Sequence, residues 1–178
     1  MERDVIDPPR RRSDVNRPTF SGVAEDCLDE VYRYLLMLTA NPSLADDLTS
    51  ATFEKAFKQW RRYDPRRAAP ITWLCSIART TALDHFRADA RRRRREERFA
   101  LEQPQAEELN LAGLSPELES AMAELTAAER EVVALRIVLD FDAESAARVL
   151  GVSRTACSMR LARALTKLEE RMAADALA

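Results

Sequence analysis

The residues of this sequence most suited to chemistry are arginines, and they fall into two separate blocks. Residues 61–98 contain 12 basic and 5 acidic side chains, and residues 148–172 contain 6 basic and 2 acidic ones. Residues 99–147, between the blocks, contain 2 basic and 11 acidic side chains. Because clustered arginines neutralise phosphates, the blocks predict two nucleic-acid-binding surfaces, although the formal net charge of the whole chain is only −2.

The second basic block coincides with a predicted helix-turn-helix. Gly151 suits a left-handed turn after a short helix, and Ser153 suits the N-cap of the next helix. Apolar residues of that second helix recur every three or four positions, so the opposite face is left for the major groove of DNA. The alternative is a pair of packed helices without a DNA role. The predicted DNA-facing residues are Ser153, Arg154, Thr155, Ser158, Met159, Arg160 and Arg163.

The first basic block joins a proline-bracketed arginine loop, residues 61–70, to an amphipathic helix that ends in the run 91–95. Such a combination suits strand-separated DNA, whose backbone binds arginine and whose bases stack on planar side chains. Two interpretations of Trp60 and Trp73 stay open: they contact bases, or they belong to the apolar core. The arginine run likewise either binds phosphate or is a solvated part of a linker.

The elements that must position these residues are all predicted to be helices. The chain has 3 glycines and 6% aromatic residues, which argues against a fold dominated by sheets and tight turns. Helical spacing of apolar residues extends over about 20–40, 44–62, 71–95, 116–125, 127–139, 143–150 and 154–172, with Ser43 and Ser115 as expected N-caps. The predicted fold is all-α, with two small helical domains joined by a flexible linker. The expected segments are a flexible leader (1–18), a first domain (19–98), an acidic linker (99–114) and a helix-turn-helix domain (115–178).

Other classes of function are disfavoured by what the sequence lacks. Its three cysteines form no CxxC pair, and its single histidine, His85, has no cysteine or histidine near it. We therefore expect no metal, no cofactor, no catalytic group and no small-molecule substrate. No apolar run approaches the length of a membrane span, and no signal peptide is visible, so a cytoplasmic location is expected.

Four motifs, in order along the chain, resemble those of extracytoplasmic-function (ECF) RNA polymerase sigma factors. ADDLTSATFEKAF (45–57) resembles the helix that binds the polymerase clamp, and WLCSIARTTALDHFR (73–87) resembles the promoter-opening helix. LTAAEREVVALR (125–136) resembles the helix before the helix-turn-helix, and residues 143–168 resemble the unit that reads the −35 element. The usual family residues are replaced at Ser50, Ala51, Thr80, Ser158 and Met159.

The resemblance implies a non-enzymatic protein that binds core RNA polymerase at the beta-prime clamp and the beta flap, binds promoter DNA and is held inactive by an anti-sigma factor. The implied clamp contacts are Asp46, Asp47, Ser50 and Glu54. The implied contacts to the −10 element are Arg61, Arg62, Arg66, Arg67, Arg79, Thr80, Asp84, Arg87 and Arg91. The alternative is a stand-alone helix-turn-helix transcription regulator that acts without polymerase core binding.

Overall fold

A computed structural model describes residues 18–96 and 116–175. The expected leader, apart from residue 18, the expected linker and the expected cap Ser115 lie outside these ranges. Within them every regular element is helical, which confirms the predicted all-α class. The helices are α1 (Phe20–Thr39), α2 (Pro42–Gln59), α3 (Pro70–Glu96), α4 (Pro116–Ala123), α5 (Ala127–Val133), α6 (Ala143–Leu150) and α7 (Arg154–Asp175).

Local capping fixes where α1 and α2 meet. The chain leaves α1 at Ala40, which has the positive φ of 53° typical of a helix C-terminus and donates its N–H to the Leu36 carbonyl at 2.8 Å. The Asn41 side chain then accepts from the Leu44 amide at 3.0 Å and caps α2. The prediction of Ser43 as this cap is wrong, because Pro42 already occupies the first helical position, where its missing N–H does no harm.

Helices α1, α2 and α3 pack together into an N-terminal unit. Their buried residues include Val31, Leu35, Leu48 and Leu74, which lie on the predicted apolar faces. After α2 the chain makes one tighter 3₁₀ turn, Trp60–Arg62, and then the loop that leads to α3. This arrangement places the loop arginines at one end of the three-helix unit.

Helices α4 to α7 form the C-terminal unit, in which α7 packs against α4, α5 and α6. Helix α5 begins with a capping box: the Thr126 hydroxyl accepts from the Glu129 amide at 3.2 Å, and Glu129 accepts from the Thr126 amide at 2.9 Å. The helix widens at its end into a π-helical turn, Ala134–Val138. The sequence predicts one uniform helix over 127–139, so this widening is a departure from the expected geometry.

The two units lie against each other and share a continuous apolar core. Helix α1 contacts α5 and the π turn, and helix α3 contacts α6. Between α1 and the C-terminal unit lies an apolar groove of about 260 Å³, which is lined by side chains that include Leu36, Met37, Met122 and Ile137. The predicted division into two domains does not by itself indicate that the two units touch. Their contact determines which functional surfaces are exposed.

Candidate nucleic-acid interfaces

The turn of the helix-turn-helix is built as the sequence predicts. Gly151 has φ 66°, in the left-handed region, and the Val152 amide donates to the Ala147 carbonyl at 3.1 Å. The Ser153 hydroxyl accepts from the Ala156 amide at 3.1 Å and so caps the first turn of α7. Two short hydrogen-bonded segments therefore set the direction in which α7 leaves the turn.

The face of α7 opposite its buried residues is open to solvent. Cys157 and Ala164 are fully buried, whereas Met159 is 53% exposed. Burial raises the pKa of the Cys157 thiol, which keeps it protonated. Of the predicted DNA-facing residues, only Arg160 is half-buried. The exposed ones are Ser153, Arg154, Thr155, Ser158, Met159 and Arg163.

The loop before α3 is held by hydrogen bonds of its own. The Asp64 carboxylate accepts from the Arg66 amide at 3.0 Å, and the Tyr63 hydroxyl donates to the Ala68 carbonyl at 3.1 Å. These bonds fix the backbone while the side chains of Arg66 and Arg67 remain exposed. Arg61 and Arg62, on the 3₁₀ turn, are exposed as well. The structure therefore brings the four predicted loop arginines together at one end of the N-terminal unit.

On α3 the predicted residues are exposed along one face, with one exception. Thr80, Asp84, Arg87 and Arg91 are exposed, and the Asp84 carboxylate lies 3.6 Å from the Arg87 guanidinium and 4.0 Å from the Lys55 ammonium. The exception is Arg79, whose side chain is only 26% exposed.

The arginine run at the end of α3 is helical rather than linker. Helix α3 continues to Glu96, and the five arginines 91–95 are exposed. Arg92 and Arg93 bind the Asp89 carboxylate at 2.6 and 2.8 Å. Part of the positive charge of the run is therefore balanced on the same helix.

The two tryptophans belong to an aromatic cluster inside the N-terminal unit. Trp60 stacks on Tyr63 with ring centres 4.8 Å apart, and Trp73 lies 5.8 Å from Trp60. Phe20 of α1 approaches Trp60 edge-on at 5.5 Å. Both tryptophans are half-buried against the core, so the structure favours the core interpretation of these residues.

The predicted clamp-binding residues share the exposed face of α2. Asp46, Asp47, Ser50 and Glu54 are all exposed. The Glu54 carboxylate accepts from the Lys58 ammonium at 2.5 Å, and this hydrogen bond lowers the pKa of Glu54.

One further residue on the same face of α2 is not among those predicted from the sequence. Phe57 is 50% exposed and follows Glu54 by three positions and Ser50 by seven, which is the spacing of neighbours on one helical face. In the sequence it looks like a core residue because it lies beside the apolar stripe. An exposed aromatic ring among acidic groups is a typical anchor of a protein interface.

Arg79 is engaged by the C-terminal unit. Its Nε donates to Glu131 Oε1 of α5 at 2.7 Å, and Tyr34 of α1 donates its hydroxyl to the same oxygen at 2.9 Å. Burial, and then the neighbouring Glu131, raise the pKa of Tyr34 well above its usual value, so the hydroxyl keeps its proton and remains a donor. A second contact joins the guanidinium of Arg148 on α6 to the Arg67 carbonyl.

Sites of other kinds are not found in residues 18–96 and 116–175. Within that part of the chain no three His, Cys, Asp or Glu residues are grouped as metal ligands would be. None of the helices described there is long and apolar enough to cross a membrane.

The fold defines a helical protein of the helix-turn-helix class, and comparison with known families narrows this class. The family model for Sigma-70 region 2 matches residues 23–92, and the model for Sigma-70, region 4 matches residues 115–168. The probable sigma-C factor of Mycobacterium bovis is 33% identical over 138 residues, which cover 76% of this chain and 73% of that protein. The chain belongs to the ECF sigma factors of the sigma-70 family.

A second curated relative agrees with this membership, and two solved structures share the fold. The ECF sigma factor BldN of Streptomyces coelicolor is 30% identical over 170 residues, which cover 88% of this chain and 61% of BldN. The chain thus spans about three fifths of the length of BldN. Two solved structures show the same fold: RpoE with the anti-sigma factor NepR from Bartonella quintana (TM-score 0.73, 22% identity, 88% of this chain and 98% of that one) and CnrH with the cytosolic domain of CnrY (TM-score 0.67, 24% identity, 92% and 93%).

Proposed function

We propose that this chain is a sigma factor that binds core RNA polymerase, directs it to specific promoters and helps to open the −10 element. The observation that carries the proposal is the coincidence of two matched sigma regions with two exposed arginine surfaces, one in each helical unit. In this assignment residues 19–98 form the region 2-like domain and residues 115–178 the region 4-like domain, with an acidic linker at 99–114 and a leader at 1–18.

The C-terminal unit reads the −35 element with α7. The N-terminal turns of α7 enter the major groove, where Thr155, Ser158 and Met159 face base edges. Arg154, Arg160 and Arg163 flank them and bind phosphates. Serine in place of the usual lysine of this helix removes one cation, so phosphate attraction depends on these arginines.

The N-terminal unit holds the unpaired −10 strand. Arg61, Arg62, Arg66 and Arg67 follow its backbone, because four cations held on one short loop form a continuous phosphate track. The exposed face of α3 continues this track with the residues Arg79, Thr80, Asp84, Arg87 and Arg91. Arg79 joins the track only when it is free of Glu131.

The exposed face of α2 binds the beta-prime clamp, and the C-terminal unit binds the beta flap. Asp46, Asp47, Ser50 and Glu54 supply the polar part of the clamp contact, and Phe57 supplies its apolar centre. Core polymerase is a cytoplasmic enzyme, so the chain acts in the cytoplasm. The chain itself contributes no catalytic group. One structural neighbour, RpoE, was solved with the anti-sigma factor NepR, which supports an anti-sigma factor as a further partner.

Reconstitution with bacterial core polymerase tests the proposal. The full chain is mixed with core enzyme on a library of genomic fragments, and run-off transcripts are sequenced. A shared upstream motif is expected among the transcripts, and core enzyme alone is the control. DNA binding without core enzyme and without transcripts would contradict the proposal and indicate the stand-alone regulator instead.

Phe57→Ser on the clamp face sharpens this test. We expect it to weaken core binding by about tenfold, as truncation of an aromatic anchor does. Lys58→Ser, on the neighbouring position, is the control and should change core binding less.

A further inference from the structure

One buried carboxylate connects the two units of the chain. Glu131 has a side chain only 8% exposed, and it accepts from the Tyr34 hydroxyl at 2.9 Å and from Arg79 Nε and Nη2 at 2.7 and 3.4 Å. A carboxylate buried this deeply needs charged or hydrogen-bonding partners. Both of its side-chain partners belong to the N-terminal unit. In this closed arrangement, with the two units in contact, the Glu131 carboxylate has hydrogen-bonding partners in the protein. Separation of the units would leave it to be hydrated by water.

The other buried glutamate of α5 behaves differently. Glu129 receives the Lys167 ammonium at 2.8 Å and the Thr126 amide at 2.9 Å, and all of these groups belong to the C-terminal unit. Glu129 therefore serves the internal stability of one unit, whereas Glu131 serves the contact between two. Because they lie two positions apart on one helix, each provides a control for the other.

The closed arrangement is incompatible with simultaneous reading of both promoter elements. Their names place these elements about 25 base pairs apart, or roughly 85 Å of duplex at 3.4 Å per base pair. In the structure α6 of the helix-turn-helix packs on α3. The Arg148 guanidinium contacts the Arg67 carbonyl in the 61–70 loop, which is proposed to bind the −10 strand. Helix α7 begins four residues after α6 and is about 33 Å long. The two reading surfaces therefore cannot reach both elements until the units separate.

Closure also covers part of the −10 surface, which is the proposed strand-binding surface on the 61–70 loop and α3. Arg79 has both its Nε and one terminal nitrogen on Glu131, so that edge of its guanidinium is not available to a phosphate. The Arg67 carbonyl is covered by Arg148 of the other unit. By contrast, the side chains of Arg61, Arg62, Arg66 and Arg67 remain exposed. The contact thus masks one side of the −10 surface and leaves the other side open.

We propose that Tyr34, Arg79 and Glu131 form an interdomain latch that holds the free chain closed, and that binding to polymerase and promoter requires this latch to open. The proposal rests on the proposed function, since that function demands the separated arrangement. It adds that the chain restrains itself through its own two domains, without a second protein. The open state is then a minor population of the free chain, and the apparent affinity for core polymerase is reduced in proportion to that population.

Two nearly isosteric substitutions weaken the latch and leave the packing of the helices in place. Tyr34→Phe removes one hydrogen bond to the carboxylate. Glu131→Gln removes the negative charge and leaves Arg79 half-buried without its counter-charge. The matched controls are Tyr63→Phe, whose hydroxyl bonds within the N-terminal unit, and Glu129→Gln, whose charge is paired within the C-terminal unit.

The experiment measures two properties of each full-length variant. Small-angle X-ray scattering gives the radius of gyration of the free chain, and fluorescence anisotropy gives its affinity for bacterial core polymerase. We expect Tyr34→Phe to raise the core affinity by about tenfold, the effect of one hydrogen bond to a charged group on the open fraction. Glu131→Gln should raise the core affinity further. The combined variant, Tyr34→Phe/Glu131→Gln, should also have a larger radius of gyration. Circular dichroism verifies that each variant is folded.

Two outcomes would overturn the latch: unchanged core affinity and radius of gyration in the combined variant, or equal changes in the control variants. Failure of the proposed function looks different. In that case neither the wild type nor any variant would bind core polymerase, and the radius of gyration alone would decide whether the latch exists. An enlarged radius in the combined variant with compact controls would then still support it.

Discussion

The two predicted DNA-reading surfaces of this sigma factor differ in how the fold presents them. The −35 surface is one face of α7, set by the Gly151 turn and the Ser153 cap and exposed to solvent. The −10 surface is spread over a loop and a helix, and the C-terminal unit engages it through Arg79 and the Arg67 carbonyl. Local backbone geometry therefore governs the first surface, and the arrangement of domains governs the second.

Removal of three arginines from either surface should have the largest effect. We expect Arg61→Ala/Arg62→Ala/Arg66→Ala to reduce run-off transcription by about a hundredfold or more, because each lost phosphate contact forfeits counterion release. The matching variant, Arg154→Ala/Arg160→Ala/Arg163→Ala, should lose transcription to a similar extent.

The control for both triple variants is Arg92→Ala/Arg93→Ala, whose guanidinium groups already bind Asp89 on α3. It should keep most of the transcription. If either triple variant keeps half of the wild-type transcription, the arginines of that surface are not needed to bind promoter DNA.

Gly151→Ala should weaken the −35 surface alone. The new Cβ would meet nothing within 4 Å, so the cost comes entirely from the positive φ and amounts to about 1 kcal/mol. Thermal unfolding should begin roughly 2–4 °C lower, and −35 duplex binding should fall with it. Gly151→Asn should lose less, because asparagine tolerates this conformation. A loss of −10 strand binding as large as the loss at −35 would contradict the separation between the two surfaces.

Arg148→Ala should act in the opposite direction and on the other surface. The substitution removes the contact to the Arg67 carbonyl, so we expect the free chain to bind a −10 single strand about threefold more tightly, with no gain for the −35 duplex. The control is Glu144→Ala, which removes the other partner of Arg148, 3.1 Å away, and leaves the interdomain contact. Equal gains in affinity for the −10 single strand and the −35 duplex would show that the Arg148 contact does not act on the −10 surface alone.

The smallest effect on the two surfaces is expected from Glu129, which affects the pH dependence of stability. Hydrogen bonds from Lys167 and Thr126 lower its pKa to about 2 from a usual value near 4.5. The stabilisation is fully present above pH 4.5 and is lost as the pH falls toward 2. Urea midpoints of the wild type should therefore decline over this window, and those of Glu129→Gln should decline less. The exposed Glu169→Gln should follow the wild type, and a Glu129→Gln decline as steep as that of the wild type would contradict the assignment.

Much of the C-terminal unit is predictable from sequence because its determinants are local. A glycine at the turn, a serine cap and apolar residues every three or four positions specify the helix-turn-helix and the exposed face of α7. The structure confirms those placements. The DNA contacts themselves remain predictions, since only a promoter complex can test them.

The features missed by the sequence analysis depend on contacts between distant parts of the chain. Glu131 looks like an ordinary helix-surface acid, and only the docking of α1 and α3 gives it partners. Arg79 matches a promoter-opening motif, so its intramolecular role is invisible in the motif. Phe57 lies beside an apolar stripe, and its exposure follows from how α2 is turned against its neighbours.

The continuous core beneath the latch makes the closed arrangement sensitive to temperature. Closure buries apolar surface of α1 against α5 and the π turn, so it lowers the heat capacity of the chain. Because apolar burial makes the free energy of closure a curved function of temperature, the open fraction is smallest at an intermediate temperature and rises on either side of it. The same chain would then be more available to polymerase at either extreme of temperature, without any change in its amount.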